Sequence, residues 1–64
     1  ETHMDQISEK ELAALNELLS EEELLIKKFK MLSEHTEDAE VKAKFTEISN
    51  KHQEHFQSLY AQLK

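Results

Sequence analysis

Apolar residues at Leu12, Leu15, Leu19, Ile26 and Phe29 follow one another at steps of three and four with one position skipped, the spacing of one face of an α-helix. Leu18, Leu25 and Leu32 widen that face beyond the seam of a two-stranded coiled coil, so the stripe is that of a bundle helix. Ser8 stands three residues before Glu11, as in a capping box, and Ile7 is placed to staple onto Leu12. A first helix is expected from about residue 9 to about 35. The polar run Ser33–Asp38 holds the break, with Asp38 as N-cap and Glu40 in the positive first turn of the next helix. The second helix is expected over about 39–63. Its face comprises Val41, Phe45, Ile48, Leu59 and Leu63, again at steps of three and four but with two positions skipped, and Phe56 flanks it.

The skipped positions carry the chemistry. Glu22 falls on the inward stripe between Leu19 and Ile26, and His52 and His55 fall between Ile48 and Leu59. With the turn centred near residue 37, Glu22 lies 15 positions before it and His52 15 after. At about 1.5 Å per residue both sit roughly 22 Å from the turn, so an antiparallel hairpin brings them face to face. His55, about one helical turn further along, presents a second imidazole.

Ionisable groups on a core stripe must be paired or ligated, and three readings stand. Carboxylate and imidazole together suit zinc, copper, nickel or iron. A metal-free Glu–His layer would fix register and dimer geometry. Solvated, snorkelling side chains would follow from a small change of helix phase, because Glu22 belongs to the run Glu21-Glu22-Glu23.

Length and composition narrow the class. Sixty-four residues hold one small domain, and the absence of Gly, Pro and Cys argues against a sheet, a disulfide scaffold or a Cys-ligated zinc fold. A formal net charge of −6, with 8 Lys and no Arg, argues against nucleic acid and against an anionic lipid surface. The longest apolar run, Leu12-Ala13-Ala14-Leu15, spans no membrane. Glu1–Met4 reads as an expression-vector remnant and disordered N-terminus, which leaves residues 5–64 as a single hairpin domain.

A hairpin of this size cannot cover two wide apolar faces. The fold class expected is therefore all-α: an antiparallel two-helix hairpin dimerising into a four-helix bundle, with a second copy or a similar chain as partner. Among the remaining candidates, His35 reads as a solvated residue near a helix C-terminus, Phe29, Phe45 and Phe56 as core, and Tyr60 as an edge residue. No Ser, Thr or Lys stands beside a base as a nucleophile would.

The segments Leu18-Leu19-Ser20-Glu21-Glu22, Thr36-Glu37-Asp38-Ala39-Glu40-Val41-Lys42 and His52-Gln53-Glu54-His55-Phe56 resemble the coat-F group of spore coat proteins and small related ferritin-like proteins of spore-forming bacteria. Ferritin-like proteins carry a Glu on the first helix of each pair and Glu-x-x-His on the second. Glu22 matches the first and His55 the His; His52 falls where the motif has Glu. The bridging carboxylate is thus missing, which moves the preference from oxygen-activating di-iron chemistry toward zinc, copper or nickel.

The resemblance implies a half-ferritin hairpin that dimerises. The function expected is a non-enzymatic homodimer, cytoplasmic or in the spore coat and able to meet other coat proteins there. Its metal ligands would be Glu22, His52 and His55. The alternative is a ferritin-like oxidoreductase or metal-handling protein using the same three residues.

Overall fold

A computed structural model describes residues 7–63; Glu1–Met4, expected to be a vector remnant, lie outside them. Helix α1 runs Glu9–His35 and helix α2 runs Ala39–Ala61, packed against each other as a hairpin. The start of α1 is held reciprocally. The Glu11 N–H donates to Ser8 Oγ at 3.1 Å and the Ser8 N–H to Glu11 Oε1 at 3.0 Å, so two otherwise unpaired amides are satisfied. The Ser8 backbone N–H first, and the Ser8 hydroxyl beside the carboxylate second, hold the Glu11 carboxyl below its ordinary value of 4.5.

The connection needs no glycine because none of the described residues has positive φ. Thr36 (φ −91°, ψ 143°) and Asp38 (φ −82°, ψ 118°) are extended, a region open to every residue type. Asp38 Oδ1 then accepts from the Glu40 and Val41 amides at 2.9 and 3.0 Å, and Thr36 Oγ1 accepts from the Asp38 amide at 3.2 Å. At its other end α2 stops at Ala61, short of the 63 expected. The Gln62 and Leu63 amides bond back to Leu59 and Tyr60; these three-residue steps tighten the last turn of a helix that has no terminal glycine.

The residues of closest packing differ from those the hydropathy pattern emphasises. Leu19, Ser33 and Ser49 are the buried ones among the described residues, while Leu18 and Val41 are exposed. Ser49 lies between the helices and its hydroxyl donates to the Ile26 carbonyl across the gap at 3.3 Å. Ser33 donates to the Lys30 carbonyl of its own helix at 2.7 Å. Such short side chains let two backbones approach closely while their hydroxyls remain bonded. Among the described residues no side chain is fully buried, and Leu24 and Met31, which the stripe does not include, are exposed on α1.

Candidate metal centre

Glu22 is set by the middle of α1, and His52 and His55 by the fourth and fifth turns of α2. The level argument rests on the sum of residue numbers across an antiparallel pair. Phe29 and Phe45 have the same sum, 74, as Glu22 and His52, and their rings meet with centroids 5.9 Å apart. Glu22 Oε1 lies 2.6 Å from His52 Nδ1, and Glu22 Oε2 lies 3.7 Å from His55 Nδ1. One carboxylate thus addresses both imidazoles. An ionised carboxylate only accepts, so in that state of Glu22 the short bond places the proton on His52 Nδ1.

His52 is held on three sides. Phe29 stacks on its ring at 6.1 Å and 16°, Glu22 takes its Nδ1, and His55 meets it edge-on at 5.6 Å and 84°. The sequence pattern identifies Phe29 only as core, although its place two turns beyond Glu22 on the same side of α1 is the signal for this second role.

Exposure divides the three residues. The side chains of Glu22 and His52 retain 18% and 22% of their accessible surface, whereas His55 retains 58%. Within one chain the layer therefore consists of two half-buried groups and an exposed third. The reason is rotational: α2 turns Phe45, Ser49, His52 and Phe56 toward α1, and at 100° per residue His55 stands well to one side of that direction.

Donor atoms of Glu22, His52 and His55 all lie within 4.8 Å of one another, close enough to share a metal ion. A zinc ion with bonds of about 2.0–2.1 Å sets tetrahedral ligands about 3.3 Å apart. An ion held there would take the place of the short Glu22–His52 contact, with His55 as the third donor. Glu21, Glu23 and Glu54, all exposed, flank the cluster in sequence and add negative potential that favours a cation. His35 is the last residue of α1, 13 positions or roughly 20 Å along the helix from Glu22, and takes no part. Tyr60 stacks on Phe56 at 6.2 Å. The open depressions along the outer side of α2, by Ala39, Ala43 and Glu47, include none of the three cluster residues.

Fold and cluster together define a helical hairpin bearing one carboxylate and two imidazoles at mid-length. No family model, curated protein or solved structure matches the chain, and no described helix is long and apolar enough to cross a membrane.

Proposed function

We propose that the protein is a non-enzymatic, self-associating helical-bundle protein whose Glu22, His52 and His55 bind a transition metal ion. The observation that carries this reading is the convergence of three donor side chains from two helices within 4.8 Å. Two imidazoles with a single carboxylate favour zinc, copper or nickel over the carboxylate-rich environment of di-iron chemistry. Placement in the spore coat, with other coat proteins as neighbours, is supported by the residue resemblance of segments 18–22, 36–42 and 52–56.

A second reading is favoured by the 2.6 Å contact between Glu22 and His52, which already satisfies both groups. In it the layer needs no ion and serves to fix helix register. An oxidoreductase working with the same residues would need a metal that cycles and an open coordination position, and turnover of peroxide after iron loading would identify it.

The discriminating experiment is elemental analysis of protein purified without a nickel column, followed by thermal denaturation with added zinc, copper, nickel and ferrous iron. Metal reading and mass action predict a bound ion or a raised midpoint. No bound element and an unchanged midpoint with all four ions would leave the metal-free layer as the function of the cluster.

A further inference from the structure

Helix α1 carries two overlapping stripes but has one partner. The stripe Leu12, Leu19, Ile26 and Ser33 faces α2, as the burial of Leu19 and Ser33 shows. A second stripe, Leu15, Leu18, Glu22, Leu25, Phe29 and Leu32, has steps of three, four, three, four and three, an unbroken heptad pattern; its Glu22 and Phe29 also meet α2, which leaves Leu18, Leu25 and Leu32 as its outer edge. In α2, Val41, Phe45, Ile48, His52, His55 and Leu59 follow the complementary steps of four, three, four, three and four. Two seams on one helix are what a four-helix bundle needs, since each helix there meets two neighbours.

The outer edges of these stripes share one side of the hairpin. The opposite groove between the helices is lined by Ile26, Lys30, Glu34, Thr46, Asn50 and Gln53, a mostly polar set. On the remaining side Leu18, at 46%, and Val41, at 38%, are exposed, and Glu22 reaches outward to the exposed His55.

Size agrees with a missing partner. The chain exposes 5178 Å², against about 4,200 Å² for a compact monomer of its mass. The excess, about 900 Å², is close to the roughly 800 Å² that each partner gives to a standard interface. The radius of gyration of 14.7 Å exceeds the roughly 11 Å of a compact 64-residue chain and slightly exceeds the roughly 14 Å of one twice as long.

We propose that a second copy of this chain docks by two-fold symmetry on the side bearing Leu18, Leu25, Leu32, Val41, Ile48 and His55. That face places His55, the exposed member of the cluster, in the interface. Three ligands leave a zinc ion one short of tetrahedral closure, and the second copy brings further imidazoles to the same level. Metal binding and self-association are then reciprocally linked. The metal part of this inference rests on the function proposed above; the choice of face does not.

Sedimentation equilibrium tests it on the whole chain, with and without zinc. Leu18→Glu and Val41→Glu change residues that are exposed in the hairpin, so the single chain tolerates both, and helicity by circular dichroism verifies this. Each should weaken the dimer tenfold or more, while Leu24→Glu, on another side of α1, leaves it intact. Zinc should tighten the parent dimer, and His55→Ala should remove that increment. A parent monomeric at millimolar concentration, or a dimer broken by Leu24→Glu and untouched by Leu18→Glu and Val41→Glu, overturns the face. Zinc that binds without tightening the dimer overturns the placement of His55. If zinc does not bind at all, the metal reading fails, and the Leu18 and Val41 variants alone decide the interface.

Discussion

At the scale of single residues, Glu22 decides most of what the cluster does, because it is the acceptor for His52 and faces His55 as well. Glu22→Leu leaves a half-buried imidazole without its acceptor and should cost on the order of 1 to 3 kcal/mol. Replacing Glu22, His52 and His55 together by apolar residues of similar size should be neutral or stabilising, because no polar group is then stranded. Denaturant midpoints at fixed protein concentration compare the two. A triple variant no more stable than the single one would show that the Glu22–His52 bond is not what the single change removes. Glu11 gives a pH-dependent counterpart. Its carboxyl is held below 4.5 by the Ser8 bonds, so the ionised form favours the folded chain. This contribution is complete above 4.5 and fades as pH falls through the lower folded value. The stability advantage of the parent over Glu11→Gln, followed by thermal denaturation from neutral pH into acid, should shrink over that interval.

At the scale of the helix, caps and packing respond to different substitutions. Asp38→Ala removes the acceptor of two first-turn amides and should lower stability by about 1 kcal/mol. Ser49→Leu pushes a branched side chain into the space between the helices where Ser49 is buried against Ile26, with an overpacking cost of about 1 to 3 kcal/mol. Ser49→Ala fits the same space, and a chemical denaturation series would rank the two. The contrast also marks how far the sequence could be read. Ser8-x-x-Glu11 and Asp38 announce helix starts because their side-chain bonds are local, and counting from the turn puts Glu22 level with His52 because helix rise is uniform. The rotation of α2 is not written in its apolar pattern. It follows from the small Ser33 and Ser49, which hydropathy counts as polar yet which are among the most buried residues described. Their close approach turns His52 inward and leaves His55 on the rim, a consequence of positions that carry no apolar signal.

For the whole molecule, a layer two helices wide and 11 Å in its thinnest dimension covers each residue from one side only. That is why, among the described residues, no side chain is fully buried, and why we propose a second copy as the completion. The cluster sits where that completion would place the bundle's centre, so its chemistry and the assembly are one question. Because an imidazole must be neutral to ligate, metal affinity should also fall on acidification, as protons compete with the ion for the ring nitrogens. The most direct measurement is calorimetric titration of zinc into the parent and into the His52→Ala, His55→Ala and His35→Ala proteins at neutral pH. The account predicts saturable binding in the parent and in His35→Ala, with most of it lost in His52→Ala and in His55→Ala. Equal binding in all four proteins, or loss confined to His35→Ala, would contradict it.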